Sequence, residues 1–309
     1  MSGQDRSTLF ALTGITKTYG GITALDNLSV QVPHGATGLL GPNGSGKTTM
    51  IRTLLGLVRP DAGAGNVFGL DILKQQLNIR RQIGFSPEDE CLFPGVQGIE
   101  FVCYAGELSG MRRVDAMQRA HEVLDYAGLG EVRYRKVESY SSGMKQRLKL
   151  ATAIVHDPKL LVLDEPTNGM DPAGREDMLQ LAHDLANNKG MSVLFSSHLL
   201  PDVEAVCDQI IVLSGGRLLV HGKIRELKQV HASSLEVRLK TDSAAFTRRM
   251  TELGCTVQPT GELLHIRIPP GQTASMIWRE AAAADVQIRH LRPQRSTLEE
   301  VFLNAVEHK

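Results

Sequence analysis

As far as about Lys223, short apolar runs alternate with helical patterns, the arrangement expected of βαβ units around a mostly parallel sheet. Ala36-Thr37-Gly38-Leu39-Leu40, Leu160-Leu161-Val162-Leu163, Met191 to Phe195 and Ile210-Ile211-Val212-Leu213 read as short buried strands. Helices are expected over Thr48 to Leu57 and over Leu199 to Val206, the latter with Pro201 in its first turn. Another is expected from about Ala173 to Ala186, where Met178, Leu181 and Leu185 form the apolar stripe before a turn at Gly190. Between Asp89 and Ser139 the strand-like runs give way to a mainly helical insertion. Its clearest helix spans Arg113 to Ala127, with Val114, Met117, His121 and Leu124 expected on one packed face and Gly128 ending it.

After Lys223 the pattern changes. Leu235, Val237 and Leu239 alternate with Glu236, Arg238 and Lys240, and Leu264, Ile266 and Ile268 alternate with His265 and Arg267, as in half-buried strands. Gln272 to Ala284 reads as a helix, Val286 to Leu291 as extended, and Ser296-Thr297-Leu298-Glu299 as a capping box opening a last helix. The expected organisation is an α/β domain over residues 1–225, with its helical part at about 89–150, followed by a small α+β domain over 226–309.

Composition narrows the picture in three ways. Lys+Arg and Asp+Glu both number 34, so overall charge gives no strong attraction to nucleic acid, and no nucleic-acid partner is expected. Cys91, Cys103, Cys207 and Cys255 show no C-x-x-C spacing, which argues against a zinc site or a disulfide framework. The polar opening Met1-Ser2-Gly3-Gln4-Asp5-Arg6 leads into no apolar segment that would mark a secretory signal. Nor does any run approach the ~18 consecutive apolar residues of a membrane span, so work at a membrane would need another chain to cross it.

Four elements carry candidate chemistry. Gly41-Pro42-Asn43-Gly44-Ser45-Gly46-Lys47-Thr48-Thr49 fits Gly-x-x-x-x-Gly-Lys-[Ser/Thr] between an expected strand and an expected helix. In such a loop the glycines let backbone N–H groups converge on a phosphate chain. Lys47 supplies a point charge, and the Thr48 hydroxyl suits a Mg²⁺ ligand. Asp164 and Glu165 end the apolar run from Leu160, and two adjacent carboxylates at a buried strand tip are costly unless a cation or ligand waits there. Asp164 is suited to hold Mg²⁺ through water. Glu165 is placed to polarise a water attacking a γ-phosphate. Ser141-Ser142-Gly143 opens a helix and reads either as a second anion site or as an ordinary serine cap. Finally, Phe195-Ser196-Ser197-His198 places a histidine at a strand end, within possible reach of the γ-phosphate.

The order glycine loop, serine-glycine helix start, apolar-Asp-Glu, then strand-His resembles the nucleotide-binding domain of an ATP-binding cassette (ABC) transporter, over about residues 8 to 225. The fold implied is α/β: a P-loop NTPase (RecA-like) core with a mainly helical insertion, followed here by the small α+β C-terminal domain. The resemblance implies that residues Gly41, Asn43, Gly44, Ser45, Gly46, Lys47, Thr48 and Thr49 hold ATP as a Walker A loop. It makes Asp164 the Walker B carboxylate, Glu165 the catalytic glutamate and His198 the switch histidine. Asp171, in Gly169-Met170-Asp171-Pro172, resembles the D-loop residue at the subunit interface. Tyr19 matches the aromatic residue that stacks on adenine, although a tyrosine at a strand end can equally be a core residue.

Two departures accompany the match. The family signature Leu-Ser-Gly-Gly-Gln is here Tyr140-Ser141-Ser142-Gly143-Met144, which keeps Ser141 and Gly143, the positions resembling phosphate contacts. The family's loop glutamine falls at Glu88, whose carboxylate could still meet Mg²⁺ or its water. These departures, with Leu298-Glu299-Glu300-Val301-Phe302-Leu303 near the end, resemble the branch serving ABC-2-type permeases, mostly exporters. Implied partners are a transmembrane permease and a second copy of this chain, arranged head to tail so that ATP on one copy meets Ser141 and Gly143 of the other. Implied cofactors are ATP and Mg²⁺, and the implied location is cytoplasmic, on the inner face of the membrane through the permease. Phe93, Pro94, Val96, Ile99 and Phe101 would form part of the permease contact. The alternatives are a soluble ABC ATPase acting on nucleic acid or ribosomes, for which no long coiled coil or second cassette appears, and an import module.

Overall fold

The computed structural model describes residues 8–227, 230–240, 244–261, 263–269 and 272–295. The expected capping box at Ser296 to Glu299 and the segment that runs on to Leu303 lie outside the described residues. After Ile224 the chain divides into two compact units.

The first unit opens with two long strands, β1 (Thr8–Tyr19) and β2 (Ile22–Pro33), paired antiparallel across Gly20-Gly21. Both glycines have positive φ, 52° and 89°, as a tight hairpin turn requires. Next come β3 (Ala36–Leu40), α1 (Lys47–Leu54), β4 (Ala62–Val67) and the two-residue β5 (Leu70–Asp71). β4 returns to β1, giving an antiparallel sheet ordered β2-β1-β4-β5. The chain continues through α2 (Gln76–Arg80), β6 (Ile83–Ser86), α3 (Gly98–Leu108), α4 (Arg113–Tyr126) and α5 (Ser142–Ile154). It then runs through β7 (Leu160–Asp164), α6 (Pro172–Asn187), β8 (Ser192–Ser197), α7 (Leu200–Val206), β9 (Gln209–Ser214) and β10 (Arg217–Lys223).

The second sheet is ordered β10-β9-β3-β8-β7-β6. Its strands pair in parallel apart from β10, which joins β9 antiparallel. Every residue of β3, β7 and β8 is buried, which is why these strands read as continuous apolar runs. Met50, Ile51 and Leu54 of α1 belong to one core cluster with Leu9, Phe10 and Ile15 of the antiparallel sheet and Leu39, Val162, Leu194 and Ile211 of the parallel one. The helix behind the glycine loop is therefore wedged into the main core.

Two expectations for the helical part are corrected. Val114 is 77% exposed, and the buried face of α4 runs instead through Ala116, Ala120, Val123 and Leu124. The reason is close packing on α3: a Cβ added to Gly106 would lie 3.0 Å from the Cβ of Ala116. Small residues mark this contact, so the bulkier side chains point the wrong way. Of the five residues expected to meet a permease, Ile99 and Phe101 are buried packing residues, whereas Phe93 is 55% exposed with its ring edge-on to Phe101 at 5.5 Å.

The short helix α8 (Ile224–Leu227) falls at the division. The second unit contains β11 (Val230–Leu239), α9 (Ala244–Glu252), β12 (Thr256–Thr260), β13 (Leu263–Arg267), α10 (Ser275–Ala283) and β14 (Ile288–Arg295). Its sheet is ordered β12-β13-β11-β14 with every neighbouring pair antiparallel, the βαββαβ arrangement called ferredoxin-like. Leu235, Val237, Leu264 and Ile266 pack against Phe246 and Met250 of α9 and Met276 and Ile277 of α10. Between the two helices, Arg249 Nη2 donates to Glu280 Oε2 at 2.9 Å and, with Arg279, holds that carboxyl below its usual range.

In β6, a Cβ added at Gly84 would fall 2.1 Å from the carbonyl oxygen of Ala153 in the last turn of α5. The backbone of Ala153 and the ring of Pro158, whose Cγ would lie 2.9 Å away, leave little room to yield. Gly84→Ala should cost about 1–3 kcal/mol through overpacking, seen as a lower urea midpoint at unchanged slope. A wild-type midpoint would refute this packing.

Candidate nucleotide site

The site begins where β3 ends. Residues 41–46 turn back over the strand and enter α1, whose first residue is Lys47. Gly46 sits before the helix with φ 105°, and a Cβ there would lie 2.5 Å from the carbonyl oxygen of Ala24. A Cβ at Gly41 would lie 2.4 Å from the carbonyl oxygen of Leu213. Only glycine satisfies both positions, one for its dihedral and both for space. The loop is pinned by Ser45 N–H donating to Pro42 O at 3.1 Å and by Gly216 N–H donating to Ser45 O at 3.1 Å. Asn43 and Gly44 stay exposed at its tip, and Ser45 Oγ is buried without a partner among the described residues. Thr49 is half-buried, and its carbonyl accepts from Thr53 Oγ1 at 2.8 Å.

Lys47 is buried. Its Nζ donates to Gly41 O at 2.7 Å and stands 3.8 Å from Glu165 Oε1. Beside it, at the tip of β7, Asp164 is buried as well. Thr48 Oγ1 donates to Asp164 Oδ2 at 3.4 Å, while Asp164 Oδ1 is buried with no hydrogen-bond partner among the described residues. A carboxylate oxygen left unpaired in the interior is costly, and an all-oxygen pair of this kind suits a hard divalent cation. Among the described residues no group of three or more His, Cys, Asp or Glu could hold a metal alone. A cation here would take its remaining ligands from water or phosphate.

Glu165 occupies the left-handed region at φ 50°. For a residue with a Cβ this costs about 1–3 kcal/mol and recurs at functional sites. Its N–H donates to Ser196 O at 3.0 Å, and its Oε2 lies 2.8 Å from Nδ1 of the exposed His198, just past β8. Tyr19 ends β1 with 44% of its surface exposed and the Lys17 ammonium 5.4 Å from its ring centre, so it is not a core tyrosine.

The structure thus gathers the glycine loop, Asp164, Glu165 and His198 at one edge of the parallel sheet. Other predicted residues lie apart. Ser141 caps α5, its Oγ accepting from Met144 N–H at 3.3 Å, and Gly143 lies toward Met170. Glu88 is exposed; its Oε1 accepts from Asn168 Nδ2 at 3.4 Å, and no described hydrogen bond or ion pair joins it to Thr48 or Asp164.

Two buried charged residues near the site escaped the sequence reading. Lys149 of α5 donates from Nζ to Glu88 O at 3.1 Å. Burial lowers its pKa, opposed by Cys91, Asp89, Asp164 and Glu88. A lysine flanked by Leu148 and Leu150 was the available signal. Asp202 of α7 is fully buried and joins Thr167 and Arg175. No spacing in the sequence connects those three.

The ABC transporter family model matches residues 25–168. The daunorubicin/doxorubicin resistance ATP-binding protein DrrA of Streptomyces peucetius is 36% identical over 303 residues, spanning 96% of this chain and 92% of that protein. The bacitracin transport ATP-binding protein BcrA of Bacillus licheniformis is 37% identical over 240 residues, spanning 77% of this chain and 78% of that protein. Among solved structures, a dimeric post-hydrolysis ATP-binding cassette bound to ADP and Pi is 27% identical with a TM-score of 0.65, covering 70% of this chain and 99% of that one. The chain belongs to the ABC transporter family, as an ATP-binding subunit that hydrolyses ATP to drive a separate permease. No helix among the described residues is long and apolar enough to cross a membrane.

Lys47 places its ammonium against the glycine loop, on Gly41 O. Lys47→Ala should abolish ATP binding in a calorimetric titration while leaving the thermal melt in place. Unchanged nucleotide affinity would count against the loop assignment.

Proposed function

We propose that this chain is the ATPase of an ABC-2-type exporter, working as a head-to-tail pair beneath its permease on the inner face of the membrane. The observation that carries the reading is the placement of Glu165. Its carboxylate stands between the Lys47 ammonium and the His198 ring, next to the Thr48–Asp164 pair. In this reading the glycine loop and Lys47 hold the ATP phosphates, and Tyr19 offers its open face to adenine, worth ~1–3 kcal/mol by analogy with base–aromatic stacking. Thr48 and Asp164 would hold Mg²⁺, a role supported by the orphan Asp164 oxygen. Bound there, Mg²⁺ would neutralise charge developing on the transferred phosphoryl group.

Glu165 then polarises the attacking water, and His198 fixes the carboxylate and faces the γ-phosphate. Glu88, whose Oε1 accepts from Asn168, would approach the cation directly or through its water.

Ser141 and Gly143 serve the partner copy. They stand at a surface helix start, so ATP held by one chain can be completed by the serine-glycine turn of the other. The dimeric ADP-bound cassette similar to this chain supports that arrangement. Binding then closes the pair, and hydrolysis releases it. Of the five residues expected to meet a permease, Phe93 and Pro94 are exposed and remain available to it. Export is supported by the names of the relatives, which include the linearmycin resistance ATP-binding protein LnrL of Bacillus subtilis, 33% identical over 298 residues.

Glu165→Gln should bind ATP normally, lose about 10²–10⁴-fold in hydrolysis, and elute as a dimer on size exclusion with Mg-ATP. A variant that remains monomeric and fully active would overturn both the role of Glu165 and the paired mechanism.

A further inference from the structure

Asp202 is completely buried, in the first turn of α7. A carboxylate in that position is costly unless both oxygens are paired, and both are. Oδ2 accepts from Thr167 Oγ1 at 2.6 Å; Oδ1 accepts from Arg175 Nε at 2.7 Å and also from Arg175 Nη2. The three residues come from three segments of the site. Thr167 lies just beyond Glu165, Arg175 lies in the first turn of α6, and Asp202 lies one turn beyond His198. Arg175 is in turn tied to Asp171, its N–H donating to Asp171 O at 2.9 Å.

The other side of α7 is equally constrained. A Cβ on Gly38 would lie 2.1 Å from Val203 Cγ1, so α7 rests directly on β3, the strand leading into the glycine loop. The Val203 contact holds α7 on β3 independently of the Asp202 charge, whereas shifting α6 disturbs Asp202. Packed elements of this kind move as units rather than deforming continuously.

We propose that Asp202 is a positioning residue: it locks the segments carrying Asp171, Glu165 and His198 into one body, so that contact with a second copy at Asp171 sets the catalytic geometry of the same chain. This inference rests on the paired ATPase reading above and deepens it, since it names the route by which one copy senses the other. Asp202 touches neither nucleotide nor water in this scheme. It acts through Thr167 and Arg175.

The test is a double-mutant cycle on the full-length chain, reading ATP affinity by titration and kcat by steady-state hydrolysis. Asp202→Asn keeps the shape and removes the charge. It should lower kcat by about 2- to 30-fold, the range typical of coupling residues, with ATP affinity unchanged. Asp171→Ala should lower kcat as well, and the Asp171→Ala/Asp202→Asn double variant should be no slower than the slower single variant, because coupled positions fail to add.

A residue that only stabilised its own subunit would give losses that multiply, and that outcome overturns the proposal. Wild-type kcat in folded Asp202→Asn overturns it too. If Asp202→Asn does not fold, Thr167→Val removes one hydroxyl and leaves the Arg175 pair, and the same cycle is run with it. Wild-type hydrolysis and the ATP-dependent dimer of Glu165→Gln are the controls. Their absence would sink the paired reading itself, whereas their presence with additive losses sinks only the role of Asp202.

Discussion

A buried ammonium and two buried carboxylates share the tip of the parallel sheet, and the rest of the nucleotide-binding unit is arranged to make that juxtaposition tolerable. Lys47 enters from the helix after β3, and Asp164 and Glu165 from the end of β7, with β8 between the two strands. The register makes the meeting unavoidable: Leu40 pairs with Ser197 and Asp164 with Ser196, so all three strands finish at one level. Ligands in open α/β sheets gather beyond the carboxyl ends of strands, and here the charges wait at that edge. Each also has a partner outside the trio: Lys47 donates to Gly41 O, Asp164 accepts from Thr48, and Glu165 lies against His198, so the loss of one charge does not strand the others.

How far this was legible in the sequence depends on whether a feature is local. β3, β7, β8 and β9 stood out because strands covered on both faces are apolar throughout. The loop from Gly41, the Asp164-Glu165 pair and His198 were legible for a similar reason, since each chemistry sits within a few consecutive residues. The β1–β2 hairpin was not. Its pairing shifts register between Thr8 and Phe10, Leu12 and Ile15, Ile15 and Lys17, and Lys17 and Thr18. Each irregularity flips the face that follows, so no clean alternation survives for a period-two reading to find. In α4 the failure has another origin: the residues allowing close approach to α3 are alanines, which carry little weight in any search for apolar stripes.

In the second unit the central strands β11 and β13 announced themselves by alternation, whereas the edge strand β12 did not. It reads Thr256-Val257-Gln258-Pro259-Thr260 and is largely exposed. Proline is tolerated there because an edge strand has one side without ladder partners. The order β12-β13-β11-β14 is a property of pairing between distant segments, and composition cannot express it. The same limit hid Asp202, whose partners Thr167 and Arg175 are brought together only by the packing of α6 against α7.

One consequence of these long-range contacts concerns α5. Its exposed start carries Ser141, while two lysines farther along grip the acidic turn after β6: Lys145 pairs with Glu90, and Lys149 donates to the carbonyl of Glu88. The first of these contacts is surface-exposed and worth little by itself. The second is different, because an ammonium held in the interior loses its compensation if the carbonyl leaves. Helix and turn are therefore bound to move together. The Glu88 turn, which leads toward the exposed Phe93, and the serine-glycine start of α5 form one mechanical element.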